Sequence, residues 1–410
     1  MAAATAAMLV LLPAQPLDAQ VIPARTLGIP SVRLGDALQM DFHFKAELDW
    51  RDLQTTGTSA PADIFDLHRA RASIEGTLLK RVDYQVEREV RDTPDPWRDV
   101  FVDVRIHRAL QVKAGKFKVP FSLDRLTSAA DLDFIYRAIA ATHLAPGRDV
   151  GLLVHGNLLS RRVNYQVGEF RHGGDAVRSS ERHDPHAGPT VAARVTVRPW
   201  NASRTVRSLR GLAVGANVTS GHVPAGLNSL PGHTVTDEDF FPRLYVSGTR
   251  RRVGGDLEWR EGPVSVRSEL LRVSDRRQGQ GTDDDDLSDV LARGWYLSGT
   301  WLITGERKVD DVRPAKAFLQ GGAGAVELAG RIEDVRFGTP GTSGVASRDT
   351  RARNFAERSD RAWTFGVNWY LNRYSRVQVN LIRERRELDG VVIPGQAQVW
   401  SRMLRVQFAL

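Results

Sequence analysis

Arg69 and Arg71 stand two residues apart in a run where Arg69, Arg71, Ser73 and Glu75 alternate with Ala70, Ala72 and Ile74. In an extended strand that spacing puts both guanidinium groups on one face, about 7 Å apart at ~3.3 Å of rise per residue. Each planar fork offers paired donors to an oxyanion, so two in line can hand an anion from one to the next. Arg194, Arg198, Arg252 and Arg267 lie in other alternating segments and would continue this as a secondary ladder on further walls. Glu87 and Glu89 share the polar parity of their own segment. They would tune release, because conduction fails when an ion is held too tightly. The plainer reading of each group is an ordinary ion pair with a neighbour of opposite charge.

A two-residue period must position these groups. From Leu38 to Trp50 the even positions read Leu38, Met40, Phe42, Phe44, Leu48 and Trp50, while Asp41, His43, Lys45, Glu47 and Asp49 occupy the odd ones. The pattern returns in Val100, Val102, Val104 and Ile106 against Asp103, Arg105 and His107. It returns again in Val253, Leu257 and Trp259 against Arg252, Asp256, Glu258 and Arg260. Trp363, Phe365, Val367, Trp369 and Leu371 alternate with Thr364, Asn368 and Tyr370. Roughly sixteen or seventeen such runs occur, joined by alternately short turns, such as Glu261 to Pro263 and Asn372 to Tyr374, and longer polar loops. A soluble β-sandwich has the same signature strand by strand. So many long strands in one series instead fit an all-β, transmembrane antiparallel barrel, which leaves no open edge.

Composition agrees. The 410 residues carry 57 Lys and Arg against 49 Asp and Glu, a net charge of +8. That balance would also suit nucleic acid, but the charges are spread along alternating segments and form no basic helix or tail. Mean hydropathy is −0.32. No run of about 18 apolar residues follows the first dozen positions, so a membrane role requires strands. Thirty-six Gly and nine Trp suit turns and interfacial girdles. The absence of Cys removes disulfides and thiolate chemistry. Residues 1–19, with an apolar core from Ala2 to Leu12 and Ala19 before Gln20, have the character of a signal peptide. An N-terminal segment, 20–37, and a single barrel domain, 38–410, are expected to follow.

Trp295 and Trp301, like Trp363 and Trp369, sit six residues apart on one apolar face. That is roughly 15 Å along the membrane normal, less than the ~25 Å apolar band, so each pair reads as one girdle residue and one lipid or subunit contact. The alternative is a pair of core tryptophans. The C-terminal run places Trp400, Leu404, Val406, Phe408 and Leu410 on one face, broken by Arg402, as in the closing strand of an outer-membrane barrel.

Four ordered blocks then resemble one family. Gln111 to Ser128 (QVKAGKFKVPFSLDRLTS), Gly294 to Arg307, Gly321 to Arg331 and Phe365 to Asn372 are similar to segments of the phosphate-selective porin O and P family. The resemblance spans about Leu38 to Leu410. Val326 stands where the family commonly has tryptophan, and Phe170-Arg171-His172 where it commonly has an Asn-Gly pair. The resemblance implies about sixteen strands, a homotrimer in the outer-membrane lipid of a bacterium, and a preference for small anions such as phosphate or polyphosphate. It also implies that the segment from Lys116 to Arg148 folds inward as the constriction. Lys116, Lys118, Arg125 and Arg137 would then complete the anion pathway, where a narrow passage strengthens each Coulomb interaction. Asp124, Asp131, Asp133 and Asp149 are their alternative structural partners.

No cofactor, metal or nucleic-acid partner is expected, and no enzyme activity. Gly322-Ala323-Gly324 opens no helix, so it is not a phosphate-binding loop. His183 and His186 share a Pro-containing polar loop without a third ligand. Asp283 to Asp286 reads as a solvated loop with at most weak affinity for divalent cations. No Ser-His constellation supports a barrel enzyme. Asp41, Glu47, Asp49, Glu75 and Asp103 keep a general diffusion channel in play, because their charge opposes the arginines.

Overall fold

The computed structural model describes residues 20–21, 30–53, 62–172, 188–203, 205–235, 237–309, 312–318, 320–339, 341, 345–393, 396 and 398–410. The leader region 1–19 and the His183–His186 pair lie outside them.

Sixteen strands form the wall. They are β1 Leu38–Leu53, β2 Ala62–Leu78, β3 Val82–Glu89, β4 Trp97–His107, β5 Leu110–Lys118 and β6 Arg148–Leu158, then β7 Val163–Phe170, β8 Thr190–Val197, β9 Ala213–Gly226, β10 Val246–Glu261 and β11 Val264–Arg277. The series ends with β12 Leu287–Leu302, β13 Ala325–Gly338, β14 Arg358–Tyr370, β15 Ser375–Leu388 and β16 Val399–Ala409. Each pairs antiparallel with the next, and β16 returns to pair with β1, from Ser401 opposite Leu53 to Ala409 opposite Lys45. Closure satisfies every backbone ladder without an edge, which a bilayer demands. No helix among the described residues is long and apolar enough to cross a membrane.

The two-residue period decides which side meets the hydrocarbon. Phe42, Phe44, Leu48 and Trp50 of β1 face outward and stay exposed, as do Trp301 and Phe365, both more than half exposed. A soluble core would hide these side chains. Both tryptophan pairs share this outer parity, and Gly262, at φ +56°, makes the two-residue turn between β10 and β11. Leu371 falls just beyond β14, so the last outward residue of that strand is Trp369.

The inward face is less uniform. On the β11–β16 side, Leu271, Val273, Val335, Phe337, Ile382 and Met403 point into the barrel and form one apolar cluster. They pack against Ile135, Ile139 and Leu144 from the loop after β5 and against Phe240, Phe241 and Leu244 from the loop after β9. Lumen-facing apolar residues thus mark where a loop is stored inside the barrel.

Candidate functional site

The chain between β5 and β6 enters the lumen and forms two short helices, α1 Leu123–Leu126 and α2 Ile139–Leu144. An irregular backbone survives there only if its polar groups find partners. Lumenal side chains supply them. Glu269 accepts from the Leu123 and Asp124 amides at 3.0 and 2.6 Å, Asn380 from Ile135 at 2.8 Å, and Glu333 from Ile139 at 2.5 Å. Arg376 and Gln407 donate to the Ala130 carbonyl at 2.9 and 3.0 Å. These anchors come from β11, β13, β15 and β16, so the loop is stapled to one wall and turns its other side toward β1–β6.

On that opposite wall the charges interleave. Arg69 holds Glu47 with both contacts at 2.5 Å, and Arg405 reaches Glu47 at 2.9 Å and Asp49 at 2.7 Å. Arg71 contacts Glu89 at 3.1 Å and Glu87 at 3.3 Å. Glu87 also lies 3.6 Å from Lys45 and 3.7 Å from Arg148, and Arg148 binds Asp99 at 2.5 Å. Glu89 further accepts from the Ala70 amide at 2.8 Å. Arg69 and Arg71 therefore face the lumen as their parity requires, with their charge shared among carboxylates.

The loop cations divide. Arg137 bonds the Asp124 and Thr127 carbonyls and lies within electrostatic reach of Arg69 and Arg148. Burial pulls its pKa down against the Asp124 carboxylate, and Arg69 and Arg148 add to the lowering. Lys118 donates to the Leu126 and Thr127 carbonyls at 3.0 and 2.9 Å, with Arg137, Arg148 and Arg125 near it. Arg125 reaches the Pro146 carbonyl at 3.3 Å. Lys116 departs from expectation. The ladder sets it opposite Val100 and Val150 on the outer parity, and its ammonium binds Asp95 at 2.6 Å. β5 runs on through Lys118 in unbroken register, so Lys116 continues the outer parity of Val112 and Ala114 and does not belong to the inward loop.

The secondary ladder is also dispersed. Arg194 faces inward and forms a buried fork with Asp256 at 2.6 and 2.8 Å. Arg252 donates to the Leu144 carbonyl of α2 at 3.0 Å. Arg267 pairs with Glu258 at 2.7 Å and approaches Asp133 at 3.8 Å. Arg198 lies beyond the end of β8, exposed in the turn that follows, so it continues no lumenal row.

Below the loop, on the short-turn side, a cavity of about 550 Å³ is lined by Lys45, Arg260, Arg267, Lys308, Arg313, Arg373 and Arg376. Only Glu75 and Asp131 oppose them on its lining, with His43 beside them. Parity alone would have marked Arg376 and Arg405. Nothing local marks Lys308, which reaches in from the loop after β12 to bind Asp133 at 2.5 Å and Glu327 at 2.6 Å. Burial opposes ionisation of Asp133, but Lys308 and then Arg267 more than offset it and hold the carboxyl at about 2. The arrangement offers fixed charge and hydrogen-bond donors around an aqueous path, with no set of groups placed for bond-making chemistry among the described residues.

The sequence profile of the family described as phosphate-selective porin O and P matches residues 38–393. The chain belongs to this family. Porin O of Pseudomonas aeruginosa is 26% identical over 137 residues, which is 32% of this chain and 28% of that protein. The matched stretch therefore spans less than a third of that relative. OmpT, an outer membrane protein of Vibrio cholerae, is 12% identical over 92% of this chain and 98% of its own, with a TM-score of 0.57. The outer membrane channel DcaP of Acinetobacter baumannii is 11% identical over 91% of this chain and 98% of its own, also at 0.57. Identities this low speak for the fold alone. Family and barrel together make this porin a channel protein of the bacterial outer membrane.

Proposed function

We propose that this porin is a passive, water-filled channel for small anions, with phosphate or polyphosphate as its substrates, and that it works as a homotrimer. The cationic cavity beneath the constriction loop carries the reading, with seven Lys and Arg side chains against two carboxylates on its lining. Fixed cations in a narrow low-dielectric passage attract anions and replace their lost hydration, while interleaved acids such as Glu87 keep the hold weak enough for release. The family description and the relative Porin O point the same way. One solved Vibrio cholerae OmpT is described as a trimer form, and Ala46, Ala70 and Ala72 put small side chains at neighbouring outer positions of β1 and β2, which favours close protomer packing. An export leader over residues 1–19, ahead of a 20–37 segment and a 38–410 barrel domain, belongs to the same proposal.

A planar-bilayer recording under a tenfold KCl gradient tests it. The reversal potential is expected to carry the sign of chloride permeation, and added phosphate to reduce the chloride current. A reversal potential near zero without phosphate block establishes the second reading, a general diffusion porin. That reading is favoured by the carboxylate partners found at Arg69, Arg71, Arg194 and Arg405.

A further inference from the structure

The outer wall is apolar over most of its height, yet on the long-loop side of β10–β13 it carries a block of arginines. Arg272 stands directly opposite Arg293 in one ladder, and Arg293 directly opposite Arg336 in the next. Facing residues of antiparallel strands hold their Cβ atoms about 5 Å apart, where like charges repel. Arg251 and Arg276 flank the row on the same face. Arg336 binds Asp334 at 2.7 Å and Glu357 at 3.2 Å, and Arg293 binds Glu357 at 2.9 Å, whereas Arg251, Arg272 and Arg276 have no carboxylate partner among the described residues.

Depth makes this arrangement informative. Arg293 lies eight residues above Trp301 along β12, which is roughly 20 Å along the normal at ~3.3 Å per residue and a tilt near 40°. The row therefore sits in the outer-leaflet margin of the ~25 Å apolar band, where unpaired guanidinium groups facing lipid are destabilising. A groove of about 1360 Å³ opens over the same residues, with Leu270 and Trp295 at its lower end. Its upper part carries five arginines against Asp289 and Asp334 and its lower end is apolar, so it is complementary to an amphiphile with an anionic head. Free phosphate would leave the apolar end empty, and the lumen lies on the other side of the wall.

We propose that this groove is a binding site for a phosphorylated glycolipid of the outer leaflet, its phosphates on Arg251, Arg272 and Arg276 and its acyl chains along Leu270 and Trp295. Arginine forks suit phosphate oxygens, and a bound head group relieves the repulsion within the row. The site anchors the barrel's long-loop side to the leaflet independently of what passes through the pore.

The test uses the full-length porin in detergent, stripped of co-purified lipid and offered bisphosphorylated lipid A, its dephosphorylated counterpart, or inorganic phosphate. Native mass spectrometry and thermal unfolding read the outcome. Wild type is expected to retain lipid A at least tenfold better than the dephosphorylated form and to be unaffected by millimolar phosphate. The triple variant Arg251→Gln, Arg272→Gln, Arg276→Gln is expected to lose that preference while keeping its folded band. Arg272→Lys, which keeps charge but loses the fork, is expected to retain part of it. Equal retention of both lipids overturns the proposal, as does stabilisation by phosphate alone or an unchanged preference in the triple variant. Conversion of an oligomer to monomers in that variant makes the patch a subunit contact and overturns it as well. The reversal potential of the triple variant should match wild type, so failure here is distinct from failure of the anion-channel reading.

Discussion

The Lys308 ammonium lies 2.5 Å from the Asp133 carboxylate, although 175 residues separate them, and joins a loop on the short-turn side to the constriction loop inside the lumen. Glu327, fully buried, takes the same ammonium at 2.6 Å. Removing one member of such a group leaves uncompensated charge, at a cost of about 3–5 kcal/mol. Lys308→Met is therefore expected to loosen the constriction loop, raising single-channel conductance and current noise. Lys308→Met combined with Asp133→Asn should recover part of the loss. Wild-type conductance and noise in the single variant would show that this tether does not hold the loop.

His143 makes a second, pH-dependent attachment. It sits in α2 with its ring 5.5 Å from that of His233, and its Nε2 donates to the His233 carbonyl at 2.7 Å. Burial pushes its pKa down from 6.5 to about 4; the carbonyl contact opposes the shift, and the nearby His233 and Arg125 add to it. The unfolded segment takes a proton below about 6.5 and the folded one only below about 4. Falling pH across that window therefore favours the released loop, by up to about 3 kcal/mol once protonation is complete. Hydrogen exchange of residues 139–144, taken relative to the intrinsic amide rate at each pH, should accelerate between pH 6.5 and 4 in wild type and stay flat in His143→Gln. Equal acceleration in both proteins would assign the effect to another group.

How much of this was legible in the sequence follows from what is local. Parity along a strand is local, so the outer faces of β1, β10 and β14 and the inward Arg69 and Arg71 could be read directly. Lys116 was misplaced because the strand end is not local: β5 extends through Lys118, and the alternation of Val112 and Ala114 carries Lys116 to the outer face. The short turn after β2 carries positive φ at Leu79 and Lys80, where no Asn-Gly or Asp-Gly pair announces it. Phe240 and Phe241 sit in a loop that ordinarily reads as solvent-exposed, yet inside the barrel Phe241 stacks on Phe337 and Phe240 meets it edge-on. The apolar inward residues of β11 and β13 were the available signal, because apolar side chains on the lumenal parity need something in the lumen to cover them. Neither carboxylate partner of Lys308 is near it in sequence, and such long-range charge pairing leaves no periodic trace.

The outer wall allows a stability test. Phe365 is more than half exposed on β14, between Trp363 and Trp369 in the apolar band. Phe365→Arg is expected to cost about 2–4 kcal/mol, since a cation there must face hydrocarbon. Lys45→Gln, on the lumenal face of β1, should leave stability within about 1 kcal/mol because water reaches that position. Urea unfolding in lipid vesicles measures both. Equal sensitivity at the two sites would contradict the assignment of outer and inner faces.

Selectivity separates two stations along the pore. At the constriction, replacing Arg69 and Arg71 with Gln removes two cations and leaves Glu87 and Glu89 with fewer partners, so the local charge moves by two units toward negative. Each lost cation removes roughly 1–4 kcal/mol of attraction at 4 Å, according to whether the effective dielectric is nearer 80 or 20. The reversal potential in a KCl gradient is expected to move toward zero, and phosphate block to weaken. In the cavity below, Lys45→Gln with Arg373→Gln removes charge from a wider, wetter space. There the field raises the local anion concentration and so adds to the preference, but at 0.1 M salt it is screened beyond about 10 Å. That pair should lower anion conductance chiefly at low salt, with a smaller change in reversal potential. Should both double variants fold, insert and keep the wild-type reversal potential and phosphate block, fixed charge at neither station sets the ion preference.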